Sequence, residues 1–594
     1  MEKQKAGERS AASTASAARE IVESIVIAFV LAFLFRTFEA EAFVIPTGSM
    51  ASTLMGRHKD LICEKCGFPF QASASDEINS DTNRRYPDNR SVVSATCPNC
   101  RHTMYVGPDA RSESHPSYKG DRILVAKFPY RFSEPQRWDV AVFKYPGEAR
   151  TNFIKRLVGL PGETVRIEHG DLFIKNGDRD GWKIARKPLD KVRAMMRMVY
   201  DNDYVQEEIV SGVWPARWSG TAASDPFVAP PSGGREPAEA GTANLSAAAG
   251  WTASKDLQAF RTSGEDEGEA WLHYEHRVPS WEDWDRLKRG ARSPDPLRPQ
   301  LITDFTAYNT KEVRPVYGRD NMYDVPPPNW QNLGLHWVGD LAVECELVVL
   351  GEGGEAVFEL VEGGRRFQCR FDLATGRATL GIDGREDFAP SAATAVCGPG
   401  EYRIFFANFD DQLYVAVDGD ELEFDAATTF GPLGNDRPTV ADLAPVRIGS
   451  AGAGLEVRHL KVYRDIHYIA EKVQGYGFGD GGMTDYKYPP FPYHYPVSRQ
   501  EVARVLSDPR QWGPLAASRG SVQFALEADQ FLVFGDNSAE SKDSRLWGRE
   551  HYVSRELLIG KALVIYWPHS LHRIPGTPIP IRFFPNFWRM GFVR

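Results

Sequence analysis

The sequence lacks the signatures of several large protein classes. Its formal net charge is −10, so it has no excess of cations with which to neutralise nucleic-acid phosphates, and we expect no nucleic-acid partner. A mean hydropathy of −0.39 excludes a protein with many membrane spans. Seven cysteines in 594 residues are too few for a disulfide scaffold. There is also no internal repeat and no G-x-S-x-G motif, the turn that carries the nucleophile in α/β-hydrolases.

The chain does contain enough apolar sequence for several domains. Hydrophobic residues make up 42% and charged residues 25%, as in folded globular proteins. At about 150 residues per domain, the length predicts roughly three to five domains. Fourteen tryptophans and forty prolines favour a β-rich, loop-rich architecture over helical bundles. We therefore predict a mainly β fold.

One apolar run lies near the amino end, at residues 21–38, after a polar segment at 1–20. Its uncharged stretch, 24–35, is short for a transmembrane helix, which needs ~20 residues, but the flanks bring it close to that length. Two interpretations remain: an uncleaved anchor, or a signal peptide cleaved after Ala40-Glu41-Ala42. Basic residues within 1–20 favour a cytoplasmic amino terminus and an exported remainder.

Two side chains could together perform acyl transfer. Ser49 stands between Gly48 and Met50, where most serines simply form turns. Lys155 lies in the apolar β run 153–158, where strand alternation predicts that its side chain points inward, although a lysine with its amine in water is the commoner case. Burial makes a lysine lose its proton easily, and the neutral amine can then act as general base for a serine hydroxyl.

Four segments, in a fixed order, carry a more specific signal. They are Ile-Pro-Thr-Gly-Ser-Met at 45–50, Gly-Asp-Arg-Ile-Leu-Val-Ala-Lys-Phe at 120–128, Phe-Ile-Lys-Arg-Leu-Val-Gly-Leu-Pro-Gly-Glu at 153–163, and Gly-Asp-Asn followed by Ser-Arg-x-Trp-Gly at 535–548. Together they strongly resemble the bacterial type I signal peptidases. The resemblance implies an antiparallel β peptidase core behind a membrane anchor, and it favours the uncleaved anchor over the cleaved signal peptide.

The resemblance also implies a role for each matching residue. Ser49 would be the nucleophile and Lys155 the general base, and the Ser49 N–H and the Thr47 hydroxyl would form the oxyanion hole. Ser541 would hydrogen-bond to the lysine amine and orient it. The supporting residues would be Asp543 and Arg545 as an ion pair, Gly535, Asp536 and Asn537 as the turn that positions them, and Met50 after the nucleophile. No cofactor is implied for catalysis.

Two positions depart from the family pattern. The family usually has proline at the position of Ser52, and Arg-Gly-Asp where this chain has Arg137-Trp138-Asp139. Neither change removes a catalytic group. We interpret both as local packing variation near the substrate groove.

Four of the cysteines form two C-x-x-C pairs, Cys63 with Cys66 and Cys97 with Cys100. Two such pairs in a polar insertion fit a zinc ribbon with four thiolate ligands at ~2.3 Å. Because four thiolates leave no open coordination position, a zinc ion here would be structural. The alternative is two disulfides, since an exported domain meets an oxidising compartment.

Short β runs between 251 and 465, with Asp-Gly turns at 383–384 and 418–419, predict a β-sandwich. Its centre, 341–463, resembles the concanavalin-like or laminin-G-like jelly rolls, which implies a glycan ligand. A protein ligand or a purely structural role fits such a sandwich as well. Cys345, Cys369 and Cys397 are predicted to be buried small residues.

These features divide the chain into consecutive regions. They are a cytoplasmic tail (1–20), the transmembrane helix (21–38), a first core segment with the nucleophile (39–56), the four-cysteine ribbon (57–119), a second core segment with the general base (120–180), a linker or irregular segment (181–250), the β-sandwich (251–470), a return segment (471–527) and a third core segment (528–594).

The sequence therefore favours a membrane-anchored peptidase that cleaves signal peptides from exported preproteins, after small residues, through a Ser49/Lys155 acyl-enzyme mechanism. Its predicted partners are signal-peptide-bearing preproteins and membrane lipid. It would cross the cell membrane once, with the catalytic domain on the outer side. The alternative is a catalytically silent, membrane-anchored surface protein whose sandwich binds glycan or protein. The joint presence of Ser49, Lys155 and Ser541 argues against that alternative.

Overall fold

The computed structural model describes residues 21–30, 40–79, 82, 84–88, 90–107, 115–177, 179–221, 250–265, 268–290, 297–314, 334–434, 436–470, 485, 499–547, 550–573 and 580–594. Within these ranges the protein is mainly β with antiparallel sheets, as predicted. Residues 21–30 are helical, but no helix in the described ranges has the length and apolar character needed to span a membrane. The tail 1–20 and the rest of the predicted transmembrane segment, 31–38, lie outside the described residues.

An eight-stranded antiparallel sheet, the core sheet, joins the three predicted core segments. Across the sheet its strands are Ala40–Val44, Arg122–Ala126, Leu558–Trp567, Val140–Tyr145, Glu148–Gly159, Gln530–Phe534 and Val553–Ser554, with Gly591–Phe592 beside Leu558–Trp567. The first four residues of Val140–Tyr145 are all buried, as in a strand covered on both faces. Arg156 pairs with Phe534, so the Lys155 strand lies next to the strand that ends before Gly535.

A second, smaller sheet has four strands. Its strands are Lys183–Ile184, Asp171–Asn176, Glu163–Glu168 and Ser521–Ala525, in that order. Every second residue of Glu163–Glu168 is buried, which is the period expected of a strand with one covered face. The last strand of this sheet comes from the predicted return segment, 471–527.

Two larger antiparallel sheets, in the region where a sandwich was predicted, contribute side chains to one hydrophobic core. The first consists of Thr252–Ala253, Phe260–Thr262, Leu455–Arg464, Leu341–Val349, Gly400–Phe409, Gln412–Val417 and Asp420–Glu421, with Arg197–Asp201 also paired to Leu455–Arg464. The second consists of Trp218–Thr221, Glu269–Tyr274, Val446–Ala451, Glu355–Glu362, Arg365–Asp372, Arg377–Ile382 and Ser391–Ala393. At the predicted turn 418–419 both residues have positive φ, 53° and 101°, which matches the right-handed twist of a hairpin.

Small sheets and short helices complete the described structure. The small sheets are Glu312–Arg314 with Ser91–Thr96 and Thr103–Tyr105, His58–Ile62 with Pro69–Ser73, Ile78–Asn79 with Arg84–Arg85, and Leu571–Arg573 with Pro580–Phe584. The α-helices with defined bounds are Pro129–Phe132, Leu189–Met195, Glu207–Val210, Trp281–Lys288, Arg499–Ser507 and Pro509–Ser518. A capping box between Ser280 and Asp283 starts the helix Trp281–Lys288.

The described structure differs from the predicted division of the chain. The segment 181–250 is not simply a linker, because Arg197–Asp201 and Trp218–Thr221 are strands of the two sandwich sheets. Likewise Glu312–Arg314, from the predicted sandwich, pairs with a strand of the four-cysteine insertion. These short strands are stabilised by distant partners, which local composition does not reveal. Cys345 and Cys369 are buried as predicted, whereas Cys397 is exposed because it lies in the turn after Ser391–Ala393.

Candidate active site

Ser49 and Lys155 come together at the core sheet. Ser49 lies in a short 3-10 turn, Gly48–Met50, soon after the edge strand Ala40–Val44. Lys155 projects from the strand Glu148–Gly159. Its Nζ is 2.6 Å from Ser49 Oγ and donates a second hydrogen bond to the Ile154 carbonyl oxygen at 3.0 Å. An amine at this distance can take the hydroxyl proton once it is neutral.

The surroundings of Lys155 favour that neutral form. Only 4% of the residue is exposed. This burial is the main reason why the pKa of Lys155 is lowered to about 8. The nearby Arg545 guanidinium lowers the pKa further, while the Asp543 and Asp536 carboxylates raise it. Roughly a tenth of the molecules then have a neutral lysine at pH 7.

The turn Gly48–Met50 holds the predicted nucleophile Ser49 and is called the nucleophile turn; it is fixed from two sides. Met50 is fully buried in the apolar cluster that also contains Ile45 and Leu54. Asn537 donates hydrogen bonds from its backbone N–H to the Ser49 carbonyl oxygen and from Nδ2 to the Gly48 carbonyl oxygen, both at 3.0 Å. The turn is therefore held by its own hydrophobic anchor and by the Gly535–Asn537 segment. Thr47, just before the turn, has extended backbone and an exposed side chain.

Gly535 lies so close to Ser49 that a larger residue does not fit. A Cβ on Gly535 would lie 2.2 Å from Ser541 Oγ and 2.4 Å from the Ser49 carbonyl oxygen. The buried Asp543 carboxylate accepts a hydrogen bond from the Gly535 N–H at 2.8 Å. Asp543 in turn binds Arg545 through two hydrogen bonds of 2.8 and 2.6 Å. The ion pair thus fixes the turn that contacts Ser49.

One expected contact is absent from the described structure. Ser541 was expected to hydrogen-bond to the Lys155 amine, but its buried Oγ has no hydrogen-bond partner among the described residues. In this structure Lys155 donates to Ser49 Oγ and to the Ile154 carbonyl oxygen. Ser541 still lies near the dyad, since its Oγ is the atom closest to the Cβ position of Gly535.

A second buried ion pair at the site was not predicted. Arg156, next to Lys155 in sequence, binds Asp536 through two hydrogen bonds of 2.8 and 2.6 Å, and both side chains are inaccessible to solvent. Burial alone would raise the pKa of Asp536, but the Arg156 guanidinium outweighs it and the pKa is lowered. Thr53 Oγ1 also donates to Asp536 Oδ2 at 2.5 Å. A charged residue inside an apolar strand was the sequence signal that could have identified Arg156.

The long region between the second and third core segments, residues 181–527, also contributes residues to the site. Asn309 and Asn537 exchange two side-chain hydrogen bonds of 2.8 Å. The Tyr308 ring packs against the nucleophile turn, and a Cβ on Gly48 would lie 2.3 Å from it. Arg197 donates to the Asp536 carbonyl oxygen at 2.8 Å. No local motif around these residues indicates such contacts.

The four paired cysteines converge on one point. Cys63 and Cys100 have sulfurs 3.5 Å apart, those of Cys66 and Cys97 are 3.7 Å apart, and all four sulfurs lie within 4.8 Å of one another. Four thiolates at ~2.3 Å from a tetrahedral zinc ion would be separated by about 3.8 Å. The sulfur positions therefore fit such an ion, and they are too far apart for S–S bonds.

Residues 18–208 and 484–567 match the signal peptidase family, peptidase S26. Both members of the Ser49/Lys155 pair and the Gly535–Arg545 segment lie inside the matched residues. The match omits residues 209–483, which contain most of the sandwich.

Several signal peptidases are similar to short stretches of the chain. Signal peptidase I of Pseudomonas aeruginosa is 45% identical over 71 residues, which are 10% of this chain and 25% of that protein. Signal peptidase I of Aquifex aeolicus is 52% identical over 48 residues, 8% of this chain and 19% of that protein. The chain thus spans a quarter or less of the length of these relatives. The chain is therefore similar to signal peptidases over limited stretches of its length.

Solved structures show weaker likenesses. The carbohydrate-binding module CBM66 from Bacillus subtilis has 7% identity and a TM-score of 0.17, covering 37% of this chain and 89% of that one. A Bacillus subtilis protein of unknown function with a galectin-like fold has 9% identity and a TM-score of 0.23, covering 46% of this chain and 99% of that one. TM-scores this low do not define a shared fold.

Proposed function

We propose that the protein is a membrane-anchored type I signal peptidase that removes signal peptides from exported preproteins. The observation that carries the proposal is the 2.6 Å distance from Lys155 Nζ to Ser49 Oγ, inside the residues that match the family. The lowered pKa of Lys155 supports it, because a general base has to be neutral near the working pH.

The proposed reaction has two acyl-transfer steps. Ser49 Oγ attacks the scissile carbonyl carbon while Lys155 accepts the hydroxyl proton and then gives it to the leaving amine. The Ser49 N–H and the Thr47 hydroxyl stabilise the oxyanion, with a contribution on the order of 3 kcal/mol per donor. Water, activated by Lys155, then hydrolyses the acyl-enzyme and frees Ser49.

Membrane attachment belongs to the proposal. It is supported by the length and apolar character of 21–38 and by exposed apolar side chains on the helical residues 21–30. The strand Ala40–Val44 leads from this segment to Ser49, so an anchor would hold the dyad near the lipid surface. A membrane-tethered signal peptide would present its cleavage point at the same place. We expect the bulk of the chain to be digested by protease added outside intact cells.

The test is cleavage of a model preprotein by the detergent-solubilised full chain. Ser49→Ala and Lys155→Ala should each abolish cleavage, and the double variant should be no worse, because the two side chains act as one unit. Ser133→Ala, at an exposed serine, is the matched control and should keep wild-type activity. Wild-type cleavage by Ser49→Ala would refute the proposal.

The second candidate is a catalytically silent surface protein whose sandwich binds glycan or protein. Its support is the size of the sandwich, which adds two large sheets to the peptidase core. The same assay separates the candidates, because a silent protein would leave the preprotein uncut in wild type as well.

We also propose that Cys63, Cys66, Cys97 and Cys100 hold one structural zinc ion. The proposal is supported by the four converging sulfurs, all within 4.8 Å of one another. Metal analysis and thiol counting on purified protein test it. Thiols that become reactive as a chelator removes zinc would support it, whereas four unreactive cysteines without zinc would indicate disulfides.

A further inference from the structure

A second group of metal-binding side chains lies near the nucleophile turn, outside the four-cysteine cluster. His58 and Asp60 are on the strand His58–Ile62, and His569 follows the strand Leu558–Trp567. One potential ligand atom from each residue lies within 4.8 Å of the other two. We propose that these three side chains, the histidine–aspartate site, bind a divalent transition-metal ion of the Zn²⁺ type.

Two interatomic distances are close to those of ligands that share one ion: His58 Nε2 is 3.2 Å from His569 Nδ1 and 3.7 Å from Asp60 Oδ1. The other ring nitrogen of His569, Nε2, is in contact with Asp60 Oδ2, so only one nitrogen of this ring would bind the ion. Ligand atoms at 2.0–2.2 Å from a tetrahedral zinc ion would lie about 3.3–3.6 Å apart. Two imidazoles and one carboxylate are also a ligand set that such ions commonly take.

A hydrogen bond outside the ligand set orients His58 for this role. His58 Nδ1 is 2.6 Å from the Gly56 carbonyl oxygen, so Nδ1 has to carry the proton and Nε2 presents its lone pair to the other two residues.

The histidine–aspartate site is enclosed but keeps one open side. The side chains of His58 and His569 are 1% and 6% exposed, and the Tyr118 ring stacks on His569 with a centroid distance of 4.9 Å. The Asp60 side chain is 30% exposed, so solvent reaches the site from that direction. Three protein ligands then leave the fourth position of a tetrahedral ion to water.

Metal binding at this place would stiffen the nucleophile turn. Gly56, whose carbonyl accepts the His58 hydrogen bond, packs so tightly that a Cβ would lie 2.1 Å from the Thr47 carbonyl carbon. The Arg57 N–H also donates to the Pro46 carbonyl oxygen at 3.2 Å. An ion that holds His58 would therefore also hold Gly56 and the Thr47 backbone that Gly56 contacts. Thr47 lies two residues before Ser49.

The experiment counts zinc ions in the purified full chain and in two conservative variants. Asp60→Asn and His569→Gln should each contain one zinc ion per chain less than wild type. His459→Gln is the matched control, since His459 is a 59% exposed histidine paired with Asp203 in the sandwich, and it should keep the wild-type content. Equal metal content in all four proteins would overturn the proposal and leave the three side chains as a hydrogen-bonded chain.

Cobalt titration of the metal-free wild-type protein gives an independent readout if a variant fails to fold. The four-cysteine cluster should produce thiolate-to-cobalt charge-transfer bands, and the histidine–aspartate site should add ligand-field bands without them. A titration with only the thiolate phase would also overturn the proposal. Neither measurement depends on peptidase activity, so failure here is distinguishable from failure of the proposed function.

Discussion

The acid limb of the pH–activity profile should report the ionisation of Lys155. The amine must be neutral to accept the Ser49 proton, so activity rises with pH through the lysine pKa in the folded protein. With that pKa lowered to about 8, the neutral fraction is about one tenth at pH 7 and about nine tenths at pH 9. We therefore expect kcat/KM to rise about tenfold over this interval and then to level off.

The burial of Lys155 is what makes this profile distinctive. A lysine with its ordinary pKa of 10.5 would give a rise of about a hundredfold between pH 7 and pH 9, with no plateau. The assay is kcat/KM on a peptide with small residues before the cleavage point, from about pH 6 to about pH 10. Lys144→Ala, at an exposed lysine of the neighbouring strand Val140–Tyr145, is the control and should leave the profile unchanged.

Three results would refute the reasoning. A flat profile would mean that no group of this pKa acts as the base. A hundredfold rise without a plateau would mean that Lys155 is solvated rather than buried. A Lys155→Ala variant that keeps even a tenth of the wild-type rate would remove Lys155 from the mechanism.

Three further substitutions test the packing around the dyad and in the sandwich. Asp536→Asn leaves the buried Arg156 without its counter-charge and should cost about 3–5 kcal/mol in denaturant unfolding; an unchanged midpoint contradicts this. Gly535→Ala should abolish cleavage, whereas Gly591→Ala, with open space around its Cα, should not. Burial raises the pKa of Glu362 to about 7 in the folded protein, so the free energy of unfolding falls as pH rises from about 4.5 to 7 and this side chain becomes charged. The free energy of unfolding of Glu362→Gln should therefore exceed that of wild type by about 2–3 kcal/mol at pH 8 but not at pH 4.

The amino-acid sequence was sufficient for features that local chemistry encodes. Strand alternation predicted an inward Lys155, and the structure shows it buried. The Asp-Gly turn at 418–419 predicted a hairpin, and the run of short strands predicted a mainly β, antiparallel fold; the structure has both. These predictions succeeded because side-chain period and turn conformation depend on adjacent residues. The spacing of the two C-x-x-C pairs likewise indicated a cluster before any distance was known.

Only the tertiary structure decided which distant residues surround the dyad. The strands Arg197–Asp201 and Trp218–Thr221 belong to the two large sheets because of partners fifty or more residues away, and nothing in their own composition indicates it. Asn309 exchanges hydrogen bonds with Asn537, and Ser541 Oγ lacks the expected bond to Lys155 among the described residues. Such contacts depend on how sheets pack and which donors compete for an acceptor. Those are properties of the folded chain, where segments far apart in sequence share one low-dielectric interior.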